Sequence, residues 1–191
     1  MKKETRIIFY WFIAVIMCSS TGIFIILRDA KNGFGTVTFG KIPRFNLIDQ
    51  NNNNVTREYL STGPWVGSFI SFDCEDNESC IKLFSINASI QQQLKKYNYV
   101  QIVTFHNNSN STKLISLLND LNIKLEKWKI LFGDDEVIQS LSERILYNNL
   151  SESRIDDLLF LVDQNGIIRG YYQATKIYEV KKLINDAKKL I

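Results

Sequence analysis

Residues 65–72 read WVGSFISF, an uncharged, aromatic-rich run bounded by Gly63-Pro64 on one side and an acidic loop on the other. A run this short suits a buried strand and falls short of a stable helix. Cys74 and Cys80 follow at once, and residues 81–96 then carry apolar side chains at 83, 86, 90 and 94, a helical spacing. The chain is thus committed to a core strand that leads through a thiol-bearing loop into an amphipathic helix. Any fold for it must place two sulfurs where a central strand ends.

The rest of the pattern alternates in the same way. Before the run, Phe45, Leu47 and Val55 alternate around the asparagine stretch 51–54 and predict a hairpin with an exposed tip. After the helix, residues 99–105 (YVQIVTF) read as a second core strand and 113–121 as a short helix. Residues 128–131 predict a brief strand. Residues 134–146 predict a helix whose Asp134, Asp135 and Glu136 suit its positive end. Strands at 158–162 and 167–172 flank Asn165-Gly166, a hairpin turn signal. Residues 176–190 close the chain as an amphipathic helix. The order is that of an α/β domain with a mixed sheet.

Residues 7–27 are apolar or small throughout and carry no charge. At about 1.5 Å per residue this run spans roughly 30 Å, the thickness of a bilayer core. Lys2, Lys3 and Arg6 precede it, which places the N-terminus in the cytoplasm and the following domain outside. The rival reading is a cleaved signal peptide, with Ser19, Ser20, Thr21 and Gly22 as its small residues, but the apolar run continues past them. The expected organisation is a tail at 1–6, a single-pass anchor at 7–27, a linker at 28–40 and one domain at 41–191. The expected location is a bacterial cytoplasmic membrane, with the domain facing the periplasm or exterior, where disulfides persist.

The net charge of +3 is small and scattered, which excludes a nucleic-acid surface. Asn-x-Ser/Thr triplets begin at Asn54, Asn87, Asn107, Asn110 and Asn149; in a chain this rich in asparagine and serine they arise by chance.

Three side chains hold the candidate chemistry. Cys74 and Cys80 enclose residues 75–79, and their thiolates suit Cu(I), a redox disulfide, or a static one that closes a small loop. Glu75, Asp76 and Glu78 raise the thiol pKa values by like charge, which argues against a fast nucleophile and a thiol peroxidase. His106, the single histidine, comes after the second core strand in a polar run. Parallel neighbouring strands would open their ends on one edge and bring it near the cysteine loop. No methionine lies beyond residue 17, so a thioether copper site is excluded.

Four stretches carry a family resemblance. "KIPRFNLIDQNNNNVTREYL" is similar to the opening hairpin of the Sco/SenC proteins, and "WVGSFISFDCEDNESCIKL" to their strand, cysteine loop and helix start. "WKILFGDDEVIQSLSERI" is similar to their Trp-x-x-Leu-x-Gly segment. "LLFLVDQNGIIRGYY" places Asp163, Gly166, Arg169, Gly170 and the tyrosine pair as the family does. The resemblance implies a thioredoxin-like fold with an added N-terminal β-hairpin, preceded by one transmembrane helix. It implies Cu(I)/Cu(II) or thiol redox chemistry at Cys74 and Cys80 and, as partner, the copper-binding subunit of cytochrome c oxidase.

The site departs from the family pattern of Cys-x-x-x-Cys-Pro. Two extra residues separate the cysteines, and Glu75 and Ile81 stand where prolines are common. The stretch matching the family's copper histidine, 154–157 with Ile155 nearest, has none. Copper is then held by the dithiolate alone, or His106 substitutes, or copper binding is lost. A thiol–disulfide oxidoreductase is the alternative. Against it stand the long loop, the lack of tryptophan before Cys74 and the absence of proline after Pro64.

Overall fold

The computed structural model describes residues 38–70, 78–97, 100–107, 111–146 and 157–191. The tail at 1–6, the apolar span at 7–27, most of the linker, Cys74 and residues 154–156 lie outside the described residues. Among the described residues no helix is long and apolar enough to cross a membrane.

Three parallel strands form the centre: β3 (Trp65–Phe69), β4 (Gln101–Asn107) and β5 (Trp128–Gly133). Trp65 lies opposite Gln101 and Phe69 opposite Phe105, while β4 pairs with β5 from Ile102–Trp128 to Asn107–Gly133. Parallel neighbours need long crossovers. Helix α1 (Glu78–Leu94) joins β3 to β4, and α2 (Ser111–Asp120) joins β4 to β5. On one flank β6 (Leu158–Val162) runs antiparallel to β3, and β7 (Ile168–Gln173) antiparallel to β6. On the other, β1 (Asn46–Asp49) runs antiparallel to β5 and to β2 (Asn54–Thr56). The sheet order is β2-β1-β5-β4-β3-β6-β7. Helices α3 (Asp135–Leu146) and α4 (Ile177–Lys189) complete the unit.

Side chains alternate across each strand and divide the core into two layers. One face presents Trp65, Phe69, Val103, Phe105, Leu131 and Phe160 to Ile138, Leu141 and Ile145 of α3. Its aromatics pack tightly: Phe69 stacks on Phe105 with centroids 4.9 Å apart, and Phe160 lies 5.7 Å from Trp65 and 5.8 Å from Phe69. Gly67 sits opposite Phe160 in the ladder. The ring covers it so closely that a Cβ at 67 would come within 2.2 Å of Phe160 Cζ. The other face carries Ser68, Thr104 and Trp128 beneath α1, with the Trp128 ring 6.0 Å from that of Phe84.

Two hairpin turns share one construction. Asp49-Gln50-Asn51-Asn52 and Asp163-Gln164-Asn165-Gly166 both fold around a buried aspartate. Asp49 Oδ1 accepts the N–H groups of Asn51 and Asn53, each at 2.9 Å. Asp163 Oδ1 accepts those of Asn165 and Ile167 at 2.8 and 2.9 Å. The fourth residue has positive φ in both, 64° at Asn52 and 75° at Gly166, the conformation asparagine and glycine tolerate best. A cation occupies each second oxygen: Lys129 Nζ at 3.0 Å on Asp49, and Arg169 at 2.9 and 2.7 Å through two nitrogens on Asp163. Gln50 then extends the β1–β5 pairing, donating to Trp128 O at 3.1 Å and accepting from Ile130 N at 2.9 Å.

Several boundaries differ from the sequence expectation. β3 stops at Phe69 rather than at 72, and α1 starts at 78 rather than 81. β4 runs through Asn107 rather than ending at 105, because β5 goes on pairing with it at His106–Phe132 and Asn107–Gly133 whatever its side chains prefer. Asn87 and Asn107 are buried, which removes their triplets as modification sites in the folded chain.

Candidate functional site

The parallel register of β3 and β4 brings their C-terminal ends to one edge of the sheet. Ile70, the first residue after β3, donates its N–H to Phe105 O at 3.1 Å, so the alignment persists past the strand end. His106 is the next residue on β4. Its Nδ1 stands 3.5 Å from Ile70 O, at the outer limit of a hydrogen bond. The ring packs edge-on to Phe132, with centroids 6.1 Å apart.

The expectation that His106 follows the strand in a polar loop is corrected. It lies inside β4, opposite Phe132 in β5, and is 0% exposed. The expected juxtaposition does hold in one respect: the strands are parallel neighbours, and His106 lies beside Ile70, from which the chain enters the cysteine loop. Cys80 falls in the first turn of α1. Cys74 lies outside the described residues, as does Ile155. Among the described residues no group of three or more His, Cys, Asp and Glu is placed to hold a metal ion.

Asp157, the residue immediately before β6, offers only hard oxygen, a poor match to a soft ion such as Cu(I). A groove of about 400 Å³ opens beside this edge, lined by Ile48, Asp49, Gln50, Asn52, Thr112, Ile115 and Phe132.

Below the edge lies a buried polar cluster that the sequence reading did not single out. Trp128 Nε1 donates to Thr104 Oγ1 at 2.9 Å, and Thr104 and Ser68 share a hydrogen bond of 3.0 Å. Asn87 Nδ2 of α1 donates to Ser68 Oγ at 3.0 Å and lies 3.5 Å from Thr104 Oγ1. Asn87, Ser68 and Thr104 are each 0% exposed. The signal was present, since Ser68 and Thr104 interrupt apolar strands, and Asn87 falls where the stripe of Leu83, Phe84, Ile90 and Leu94 requires a buried residue.

The parallel β3–α1–β4 crossover, its antiparallel β6–β7 partner and the strand-end edge together define a thioredoxin-like α/β fold. Within that class, the chain has the architecture of solved Sco-family structures. It superposes with a TM-score of 0.67 and 20% identity on BsSco, a member of the Sco family of cytochrome c oxidase assembly proteins in which a disulfide switch has been identified, covering 81% of this chain and 96% of that one. It is also similar to Bradyrhizobium japonicum ScoI with copper bound (TM-score 0.56, 16% identity, 80% and 100% covered). A thioredoxin domain of a thiol-disulfide oxidoreductase from Bacteroides vulgatus matches at TM-score 0.57 and 12% identity, covering 81% and 98%. No protein-family model and no curated protein matches the chain.

Proposed function

We propose that this chain is a membrane-anchored, Sco/SenC-like protein in which Cys74 and Cys80 bind Cu(I) or exchange electrons as a dithiol–disulfide pair. The observation that carries the reading is the shared edge: His106 beside Ile70, with the cysteine loop leaving from Ile70 and α1 beginning at its far end. The likeness in fold to copper-bound ScoI and to BsSco supports it.

In this reading the copper ion is cargo. Cys74 and Cys80 release their protons on binding it, because thiolates and not thiols are the donors. Exchange with a partner's disulfide oxidises the pair: one S–S bond forms here as one breaks there, and both donors are lost. Uptake of copper and formation of the disulfide therefore exclude each other. The partner class is a copper-binding oxidase subunit. The anchor at 7–27 holds the domain on the outer side of a bacterial cytoplasmic membrane. A pure thiol–disulfide oxidoreductase is the second reading, supported by the Bacteroides vulgatus likeness.

Competitive Cu(I) titration of the full chain in detergent micelles separates them. Copper handling predicts one equivalent bound against a chromophoric chelator, lost in Cys74→Ser and in Cys80→Ser. A reversible disulfide with no copper affinity would favour the oxidoreductase. Neither property in the wild-type chain would overturn both.

A further inference from the structure

We propose that the opening of α4, residues 177–182, rests on an anionic lipid surface, with Ile177 and Tyr178 seated among the headgroups and Lys181 and Lys182 on their phosphates. The inference rests on the anchor at 7–27 in the reading above and is independent of the thiol chemistry.

Ile177 and Tyr178 are 73% and 65% exposed, the two most exposed large apolar side chains among the described residues. Single exposed apolar residues are ordinary on a surface. This pair is adjacent, and it opens a helix whose outward face is cationic. Lys181 and Lys182 are exposed one turn further on, and Lys176 precedes the pair. Both acids of the helix are already engaged. Glu179 accepts the Gln173 N–H at 2.6 Å and the Tyr178 hydroxyl at 3.1 Å. Asp186 is buried and accepts the Tyr172 hydroxyl at 3.0 Å and Lys189 Nζ at 2.8 Å. The core takes Leu183, Ile184 and Ala187, so it has no use for the outer pair.

Lysine stems and tyrosine rings are apolar along their length and polar at the tip, which suits a lipid–water boundary. Two apolar side chains on a convex helix are a small centre for a protein interface, which buries about 800 Å² on each partner. A lipid surface asks for no such shape match, because each lysine near it is attracted separately.

The course of the chain points the same way. β7 and β3 both run antiparallel to β6, with Gln173 opposite Leu158 and Ser68 opposite Leu159, so β7 ends at the edge where β3 ends. α4 begins at that edge. The Phe39 N–H bonds to Ile168 O at 3.0 Å and the Ile42 N–H to Gly166 O at 2.9 Å. Followed backward from Ile42 to Phe39, the chain therefore runs beside β7 toward the start of α4. About 17 Å of strand separates Ile168 from Gln173. The ten residues 28–37 that precede Thr38 can reach up to about 35 Å, so the tether is long enough for this edge to meet the lipid. It also keeps the local concentration of lipid high, and a few weak contacts then suffice.

The test uses the full chain, one per nanodisc, in phosphatidylcholine alone and with about one-third phosphatidylglycerol, an anionic lipid. Lysines are acetylated under limiting reagent and each rate is read by mass. In the anionic disc Lys181 and Lys182 are expected to react about fivefold more slowly, the factor that one lysine's attraction to such a surface is worth. Lys95, just past α1, and Lys124, before β5, are exposed at the opposite edge and should stay within about twofold. Salt at about 1 M, where charges are screened beyond about 3 Å, should abolish the difference. The Ile177→Ser, Tyr178→Ser double variant changes only exposed side chains and is expected to lose the protection. Equal rates in the two lipids overturn the proposal, as does equal slowing of all four lysines or full protection in the double variant. Protection that is the same in both lipids and insensitive to salt means that protein covers the face, and it overturns the proposal too. A chain that leaves vesicles on a carbonate wash overturns the anchor reading, and this inference with it.

Discussion

Substituting Gly67 by alanine tests the packing that holds the site's central strand in place. The added methyl would meet Phe160 Cζ at 2.2 Å, Cε2 at 2.3 Å and Cε1 at 2.8 Å. The nearest of these is about 1.2 Å short of the 3.4 Å at which ordinary contact begins. The ring cannot swing aside freely, because it is 0% exposed and packed against Trp65, Phe69 and Phe105. Overpacking of this kind costs about 1–3 kcal/mol, and a rigid aromatic neighbour places Gly67→Ala near the upper end. A domain of this size loses about 2–4 °C per kcal/mol, so the melting temperature should fall by roughly 5–12 °C. Phe160→Leu removes the three clashing atoms. In that background the alanine should cost less than about 1 kcal/mol, and it gains the ordinary advantage of alanine over glycine within a strand. The double-mutant cycle should therefore show a coupling of about 2 kcal/mol. Thermal unfolding by near-UV circular dichroism in micelles supplies all four values. Additive effects, or a Gly67→Ala variant as stable as wild type, would refute the reasoning.

Further expectations follow from the turns, the buried tyrosine and the histidine. Gly166→Ala forces φ of 75° on a residue with a Cβ and should cost about 1–2 kcal/mol in a urea midpoint, whereas Asn52→Gly at the matching position should cost none. Burial works to raise the Asp49 carboxyl, but the N–H groups of Asn53 and Asn51 and the ammonium of Lys129 outweigh it and hold the group below its ordinary 3.8. A depressed carboxyl contributes stability above its unfolded pKa and loses it as pH falls through the folded value. The stability gap between wild type and Asp49→Asn should therefore be constant above about pH 5 and close on acidification. Burial pushes the Tyr171 phenol up to about 12, and its hydroxyl donates to Ile145 O. Absorbance at 295 nm should show its ionisation delayed past that of exposed tyrosines, with stability lost as pH rises from 10 toward 12. If His106 supplies a third donor, His106→Gln should weaken Cu(I) binding without changing its stoichiometry; an unchanged affinity leaves the dithiolate as the whole site.

Element order was legible because each buried strand is a short apolar run and each helix has an apolar stripe. The turn at Asn165-Gly166 was legible because its residues accept positive φ. His106 was misplaced because its polar neighbours read as a loop. The ladder to Phe132 and the bond from Ile70 to Phe105 are long-range, and no local composition reports them. Asn87 was passed over as a chance Asn-x-Ser/Thr triplet, although its place in the apolar stripe of α1 already marked it as buried. The pairing of Gly67 with Phe160 joins residues far apart in sequence, so the need for glycine at 67 is visible only in three dimensions. The cysteines were conspicuous from the start through residue type alone, and the fold adds the edge from which their loop departs.

The most direct test is X-ray absorption at the copper edge of the Cu(I)-loaded full chain. The account predicts two sulfur scatterers per copper, both lost when Cys74 and Cys80 are replaced by serine. A first shell of nitrogen and oxygen alone, or one unchanged by those substitutions, would contradict it.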